Sequence, residues 1–442
     1  MLVDFTVENY RSIKEPVTLS AVAQRQSAQK TTQTNKRKRV KPDSEIAPGY
    51  FVEGWNIELL PVLALFGANA SGKSNVIQAL DYLLLLMHNG NQETIKLQQV
   101  FGYATLEPFK LDNISAEETT RFELRTIFEK TIYTYSLEID QSHIISETLD
   151  YALTDTKRVR NLFNRTWDKD SKKNVWKNGV YFRGPHTQLQ RSIRENEPYI
   201  STLIKLKVDI LEPLFNWLRF QFIGIHLGSE EFDLFKFMLA LQDNEVEQFS
   251  NFNVFFEQAL NIVKKFDTGL SRIEIDRKSA DNSEHKIYAF HINNEGKEIR
   301  WNFDEESLGT QRLFHLAYRI VIALKIGGLT IVDELGTNLH PNIVTSIIKL
   351  FQNHKTNPKR AQLIFTSHDN TLQRNNLLRR DQIWFTQKRT DQSTELYPLT
   401  DFNVRNDLAI DKAYLDGRFG AVPFLPSNEE MILKGNEQCQ ES

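Results

Sequence analysis

The eight residues from Gly67 to Ser74, GANASGKS, constrain the fold of this chain more than any other stretch, because their pattern requires a strand before them and a helix after them. The preceding segment LPVLALF (60–66) is continuously apolar, as is typical of a buried central strand. The following segment SNVIQALDYLLLLMH (74–88) carries apolar residues at helical spacing. In this setting G-x-x-x-x-G-K-[ST] predicts a loop whose backbone N–H groups, with the helix N-terminus, hold phosphate oxygens.

Four residues of this loop are predicted to bind a nucleotide and its metal ion. Gly72 lets the backbone turn toward the phosphates, and Asn69 belongs to the same loop. Lys73 is expected to reach the β- and γ-phosphates, and the Ser74 hydroxyl is expected to bind Mg²⁺. The predicted cofactors are therefore ATP and Mg²⁺.

A second pattern places acids at the end of another apolar strand. Leu329 to Val332 are followed directly by Asp333 and Glu334, and a buried acidic pair is costly unless it meets a cation. We expect Asp333 to lie behind the Mg²⁺ and Glu334 to act as general base on the attacking water. The alternative is an acid that caps the next helix.

A third strand, within AQLIFTSHDNTL (361–372), ends shortly before His368. A γ-phosphate sensor would lie at this position, so we predict that His368 takes part in catalysis. A histidine after a strand is more often structural when it stands alone. The two preceding motifs favour the functional interpretation here.

The fourth feature, Ser307-x-Gly309-x-Gln311, opens an amphipathic helix shortly before the acidic pair. A helix N-terminus of this kind can present Ser and Gly amides to an anion. The bland alternative is a capped surface helix with an incidental glycine. The stretch resembles the signature motif of ABC-type ATPases, with S-x-G-x-Q in place of LSGGQ. That resemblance implies that Ser307, Gly309 and Gln311 bind the nucleotide held by another subunit.

These four motifs in this order resemble the ABC-type heads of the SMC and RecF group. The opening VENYRSIKEPVTLS is similar to the first strand and turn of that group, which implies that Arg11 lies near the nucleotide. More specifically, FGANASGKSNVIQAL, ESLGTQRLFHLA, IVDELGTNLHP, FTSHD, LRRDQIWF and YLDGRFGAVP resemble the stand-alone AAA-type ATPases of prokaryotic anti-phage systems, such as RloA-like proteins, AriA and PtuA.

The implied fold class is α/β: a P-loop NTPase of ABC-ATPase head type, with a mixed central sheet, an antiparallel β meander and an inserted helical lobe. Sustained heptads are absent, so no long coiled coil is expected. We expect an N-terminal half of the head at 1–150, a basic and helical lobe at 151–270, and a C-terminal half at 271–425. A polar tail follows at 426–442. Residues 21–55 are predicted to form a long loop.

Two departures from the family pattern bear on activity. The glutamine that couples Mg²⁺ to the lid is not obvious, and Gln98 and Gln99 are candidates only by their place after the first helix. The usual D-loop is replaced by Gly336, Thr337 and Asn338. We therefore expect slow ATP hydrolysis.

Charge and cysteine content limit the partners. A net charge of −3 gives no global attraction to nucleic acid, but seven basic and no acidic residues occupy 24–41, and eleven basic residues face two acids in 157–194. These are either solvated loops or surfaces for DNA or an acidic protein. The lone Cys439 excludes a disulfide framework, and neither a secretory signal nor a long apolar run is visible. We expect a cytoplasmic protein without membrane contact.

Two functions remain open. In the first, the resemblance implies an ATPase that forms homodimers or higher oligomers and acts as sensor and scaffold in anti-phage defence. Only 74 residues follow His368, without the acidic cluster of a TOPRIM nuclease, so cleavage would come from an effector encoded nearby and triggered by a phage protein. The alternative is a RecF-like DNA-binding clamp. A helical lobe of over 100 residues does not suit a transporter subunit.

Overall fold

The structure, a computed structural model, describes residues 1–24, 49–101, 105–221, 252–266, 269–276, 286–374, 377–405 and 408–423. Several predictions fall outside these ranges. These predictions concern nearly all of the basic stretch 24–41, part of the helical lobe, the polar tail and Cys439.

An antiparallel sheet of seven strands forms one layer of the molecule, with the order β10-β9-β8-β7-β6-β1-β2. Side chains of its strands alternate between a buried and a more exposed face, as expected when only one face packs on the core. The strands are β1 (Leu2–Glu8), β2 (Val17–Ser20), β6 (Thr120–Phe128), β7 (Thr131–Ile139), β8 (Ile144–Leu153), β9 (Val159–Asp168) and β10 (Lys173–Asn178).

A second sheet of five strands has the order β14-β15-β5-β16-β17 and is parallel except for its last strand. Its strands are β5 (Val62–Gly67), β14 (Leu329–Val332), β15 (Gln362–Thr366), β16 (Ile383–Lys388) and β17 (Thr394–Pro398). Every residue of β5, β14 and β15 is buried, which explains why apolar residues dominate these strands, with Thr330, Gln362 and Thr366 as buried polar exceptions. The carboxyl ends of these three strands meet at one edge, called here the carboxyl edge.

Two small sheets complete the strands. A hairpin joins β3 (Tyr50–Val52) to β4 (Ile57–Leu59). The other sheet is antiparallel, with β12 (Lys286–Ile292) between β11 (Leu270–Asp276) and β13 (Glu298–Asn302). We call the latter the three-stranded sheet.

Helices pack between and around these sheets. The central helix α1 contacts β5 and β15 on one side and β1 on the other, so it joins the two large sheets through one apolar core. The helices are α1 (Lys73–Asn89), α2 (Asn91–Phe101), α3 (Asn113–Glu117), α4 (His186–Ser192), α5 (Tyr199–Lys205), α6 (Glu212–Gln221), α7 (Phe252–Lys265), α8 (Leu308–Ile326), α9 (Pro341–Gln352) and α10 (Ile410–Leu415). Within the described ranges, no helix is long and apolar enough to cross a membrane.

The predicted mixed α/β fold with an antiparallel meander is confirmed, but the meander is longer than predicted. The expected division at residue 150 cuts through β8, and the basic stretch 157–194 contains two further strands as well as α4. The alternation of apolar and polar residues is weak in β10, because β10 is an edge strand and most of its residues are exposed. The predicted loop 21–55 likewise contains β3.

Candidate nucleotide site

The phosphate loop connects β5 to α1 at the carboxyl edge, as the sequence predicts. Gly72 caps the helix in a left-handed conformation, with φ of 102°. A Cβ atom there would overlap the Thr394 side chain of β17, and one on Gly67 would meet the Thr386 carbonyl of β16. Both glycines are therefore required by close approach to neighbouring strands.

Lys73 is folded back onto its own loop. Its ammonium donates hydrogen bonds to the carbonyl oxygens of Gly67, at 3.0 Å, and Ala68, at 2.9 Å, and the residue is only 5% exposed. Burial lowers the pKa of this ammonium, while the carboxylates of Asp333 and Glu334 oppose that shift. The amine thus lies against its own loop, close enough to Asp333 and Glu334 for their negative charge to affect its pKa.

The acidic pair is organised by Thr366, the last residue of β15. Its hydroxyl accepts the backbone N–H of Glu334 at 2.8 Å and donates to Oδ1 of Asp333 at 2.5 Å. Glu334 adopts a left-handed backbone with φ of 51°, which turns the chain sharply after β14. A single buried hydroxyl therefore fixes both acids relative to the neighbouring strand.

Glu334 and His368 face each other across the carboxyl edge. Glu334 Oε1 lies 3.8 Å from His368 Nε2, and Oε2 accepts a hydrogen bond from the Thr337 hydroxyl at 2.9 Å. Burial lowers the pKa of His368, and the charge of Lys73 lowers it further, against Glu334 and Asp333, which raise it. The ring is therefore mainly neutral at pH 7.

Arg312, on the second turn of α8, was not predicted. Its guanidinium donates to the carbonyl oxygens of Glu334, at 2.7 Å, and Asp333, at 3.2 Å. Burial lowers its pKa, and the carboxylates of the same two residues oppose this. The arginine thereby ties the helix that follows Ser307 to the acidic pair.

A series of hydrogen-bonded hydroxyl groups links the phosphate loop to β16, β17 and the turn after β1. Ser71 Oγ lies 2.6 Å from Thr386 Oγ1, and the Thr394 hydroxyl donates to the Ser71 carbonyl at 3.0 Å. Ser12 Oγ in turn lies 2.7 Å from Thr394 Oγ1 and accepts from the Asn75 amide at 2.6 Å. The turn after β1 is thus coupled to the loop, although neither threonine belongs to a motif.

The remaining predicted residues of the loop region lie as follows. Arg11, with φ of 51°, donates to Gln78 Oε1 on α1 at 2.7 Å. Asn69 is exposed at the tip of the loop, and Ser74 is half-buried in the first turn of α1. Helix α2 contains Gln98 and Gln99, but their side chains lie outside the described part.

The predicted signature residues belong to a compact turn at the start of α8, called here the signature turn (residues 304–311). Ser307 is exposed and caps the helix by accepting the N–H of Thr310 at 3.1 Å. The Gln311 amide donates to the carbonyls of Glu306, at 2.8 Å, and Asp304, at 3.1 Å. A Cβ atom on Gly309 would lie 2.7 Å from the Asn338 carbonyl. The signature turn therefore packs against the segment that follows the acidic pair.

Magnesium fits the oxygen atoms available here. Ser74 and Asp333 provide a hydroxyl and a carboxylate, and Mg²⁺ is usually held by one or two such groups together with phosphates and water. In the described ranges no group of three or more His, Cys, Asp or Glu could hold a metal by itself.

A buried strand, a phosphate loop, a helix and an acidic pair on an adjacent strand define the class of P-loop ATPases. Residues 62–374, more than two thirds of the chain, match the family described as "AAA domain, putative AbiEii toxin, Type IV TA system". The chain belongs to this family, whose ATPase domain suggests nucleotide hydrolysis.

Among solved structures, the chain is similar to an SMC head bound to the C-terminal winged-helix domain of ScpA, with 14% identity, a TM-score of 0.42, and coverage of 94% of this chain and 99% of that one. The SMC head domain from Thermotoga maritima matches with 12% identity and a TM-score of 0.36, and the match covers 90% of this chain and 98% of that one. An SMC head domain with an extended coiled coil, bound to the C-terminal domain of ScpA derived from Pyrococcus furiosus, matches with 12% identity and a TM-score of 0.40. That match covers 95% of this chain and 98% of the other. No curated protein matches.

Proposed function

We propose that this protein binds ATP with Mg²⁺ and hydrolyses it slowly at a site shared by two copies of the chain. The observation that carries this proposal is the joint placement of Asp333, Glu334 and His368 at the carboxyl edge, with Thr366 fixing the acids. The Lys73 ammonium, whose pKa responds to both acids, lies on the same edge.

The chain's own groups account for the chemistry. Lys73 would exchange two backbone carbonyls for the β- and γ-phosphates. Ser74 and Asp333 would hold the metal, which would supply positive charge against the phosphate oxygens. Glu334 accepts a proton from water as the water oxygen bonds to the γ-phosphorus, and the bond to the β–γ bridging oxygen breaks to release ADP. Neutral His368 donates a hydrogen bond to a γ-phosphate oxygen.

The need for a second copy rests on the exposure of the signature turn. Ser307 and Leu308 face solvent, and Leu308 is 65% exposed although it is a large apolar side chain. The hydrogen bonds of Ser307 and Gln311 stay within their own turn, which leaves the N-terminus of α8 open to an incoming anion. We therefore propose that Ser307, Gly309 and Gln311 contact the nucleotide of a neighbouring copy, in a homodimer or a higher oligomer.

Slow hydrolysis is supported by the surroundings of the proposed base. Thr337 donates a hydrogen bond to Glu334 Oε2, so one of the two carboxylate oxygens is already engaged and is not free to face the attacking water. Asn338, with φ of 58°, occupies the position where the family places its D-loop. Arg11 remains our candidate for a nucleotide contact beside α1.

The biological role we propose is that of a cytoplasmic sensor and scaffold in anti-phage defence, which controls a separately encoded effector, a nuclease, in response to a phage protein. The description of the family as a toxin–antitoxin component supports a role in regulated defence. The alternative, a RecF-like clamp on DNA, draws on the basic stretch 157–194, in which Lys173 and Lys177 are exposed on the edge strand β10.

The test is the native mass of Glu334→Gln complexes purified in ATP after expression with the flanking genes. Additional mass from a neighbouring gene product, released when ATP is removed, supports the scaffold. A bare homodimer that carries only DNA, with affinity that falls steeply as salt rises, supports the clamp instead. A monomer in ATP contradicts both.

A further inference from the structure

Glu306, the residue directly before Ser307, is held unusually firmly for a side chain next to an exposed turn. Its carboxylate is only 6% exposed and takes two short hydrogen bonds on one oxygen. Trp301 donates from its indole Nε1 at 2.6 Å, and Nε2 of His291 lies 2.6 Å from the same Oε1. Because a carboxylate oxygen only accepts, the imidazole donates from Nε2.

Both donors come from the three-stranded sheet. His291 is on β12 and Trp301 is on the edge strand β13, and their rings lie 4.4 Å apart. The same face of this sheet is anchored further along, since Ala289, which pairs with Trp301, and Ile273 belong to the same apolar core as α7 and α8. The carboxylate is therefore fixed to a rigid support that does not include the phosphate loop.

The backbone of Glu306 is fixed as well. Its N–H donates to the Phe303 carbonyl at 3.0 Å, and its own carbonyl accepts the Gln311 amide at 2.8 Å. Ser307 follows with φ of −59° and ψ of 145°, which places its hydroxyl over the first turn of α8. Side-chain and backbone bonds together determine where the signature turn begins.

The direction of the carboxylate also matters electrostatically. A free Glu306 could turn toward the N-terminus of α8, where backbone N–H groups and the helix dipole attract anions. There it would compete with a γ-phosphate and repel it. The bonds from His291 and Trp301 keep this negative charge on the three-stranded sheet.

We infer that Glu306, His291 and Trp301 form a positioning clamp that sets the signature turn for the nucleotide of a neighbouring copy and keeps a carboxylate away from it. The clamp residues are positioning residues, because they act on the signature turn and through it on the nucleotide. This inference rests on the shared site proposed above, and it assigns a role to the three-stranded sheet.

The test mixes two chains that can complete only one shared site. A Lys73→Ala chain offers a signature turn without binding ATP, and a Ser307→Arg chain binds ATP but offers a damaged turn. We expect the mixture to hydrolyse ATP faster than either chain alone. Trp301→Phe is then placed in one chain or in the other, with Ile299→Val on the same strand as matched control.

We expect Trp301→Phe to lower hydrolysis about tenfold when it lies in the Lys73→Ala chain, since a lost hydrogen bond to a charged group has an effect of this size. In the Ser307→Arg chain the same change should stay within about twofold, because that turn is already disabled. ATP affinity of the latter chain should be unchanged. His291→Phe, which removes the other donor, should reproduce this asymmetry if Trp301→Phe fails to fold.

A rescue separates positioning from general damage. Adding Glu306→Gln to Trp301→Phe in the Lys73→Ala chain should recover part of the lost rate, because the loosened group no longer carries charge. Equal losses in both placements, or no loss in the Lys73→Ala chain, would overturn the clamp. If the unsubstituted mixture is no faster than its separate chains, the shared site itself is wrong and the clamp falls with it.

Discussion

Two helices of this protein begin at turns suited to anions, α1 at Lys73 and α8 at Leu308, and they are held in opposite ways. Ser71 and Gly72, directly before α1, are buried, and hydroxyl groups from β16 and β17 hold this turn in place. The signature turn is exposed, and its support is a small sheet at the periphery. In the function proposed above, this difference has a purpose: the first turn would hold the phosphates of its own nucleotide, and the second would meet a phosphate held by a neighbouring copy.

Removing the amine of the first turn should have the largest effect. We expect Lys73→Ala to reduce ATP affinity at least about 100-fold, because a charge that faces two or three phosphate oxygens is lost. Isothermal titration calorimetry with ATP and Mg²⁺ measures this. Lys349→Ala, an exposed lysine in the last turn of α9, is the control and should bind normally.

Removal of the proposed base should separate binding from hydrolysis. Glu334→Gln should bind ATP with unchanged affinity, lose about 100- to 1,000-fold in kcat, and accumulate a dimer in ATP. Single-turnover kinetics and sedimentation measure the two effects. Normal hydrolysis by this variant would show that another group accepts the proton.

Breaking the link between the strands should cost both activity and stability. In Thr366→Val the shape is retained, but the N–H of Glu334 and the carboxylate of Asp333 lose their partner, at about 1–3 kcal/mol for an unsatisfied buried group. We expect kcat to fall about tenfold and thermal unfolding to occur a few degrees lower. Thr330→Val, also buried but on β14, is the matched control for stability.

A change at the second turn should leave the first one intact. Gly309→Ala introduces a Cβ 2.7 Å from the Asn338 carbonyl, so the signature turn must shift. We predict a roughly tenfold loss in ATP-dependent dimerisation of the Glu334→Gln protein, with ATP affinity of the monomer unchanged. An equal loss in both quantities would mean that the two turns are not independent.

The smallest effect should be seen in the pH profile. Because the pKa of His368 is lowered by burial and by Lys73, its ring stays neutral until the pH falls below its ordinary value near 6.5. Below that point a protonated ring would pair with Glu334 and hold its carboxylate away from the attacking water. We expect kcat to be level from pH 8 to about 6.5 and to decline below it, and this decline should disappear in His368→Asn. A decline that starts above pH 7 would contradict the lowered pKa.

The sequence predicts the parts of the site that lie in continuous motifs. The phosphate loop, the acidic pair and His368 each follow an apolar strand, and parallel strands bring such ends together. Thr366, Thr394 and Arg312 escape prediction because each is a single ordinary residue brought in by tertiary packing. The one sequence signal that could identify Thr366 is its position at the end of an apolar strand, directly before Ser367 and His368.

The fold was predictable to a similar degree. Strands with one buried face, such as β6 and β7, are visible from their alternation. The strand β10 is not, because four of its six residues are polar and its outer edge has no partner strand in the described structure. Register and sheet order depend on contacts between distant segments, which a single sequence does not reveal.

Arg312 carries a further consequence for a dimer of the proposed kind. The same helix presents its signature turn to the neighbour's nucleotide and, one turn later, grips the carbonyls of its own Asp333 and Glu334. Nucleotide binding at one site would therefore affect the general base of the other site through helix α8. The two sites should respond cooperatively, with hydrolysis rising more steeply with ATP concentration than a hyperbola, and Arg312→Met should make the response hyperbolic.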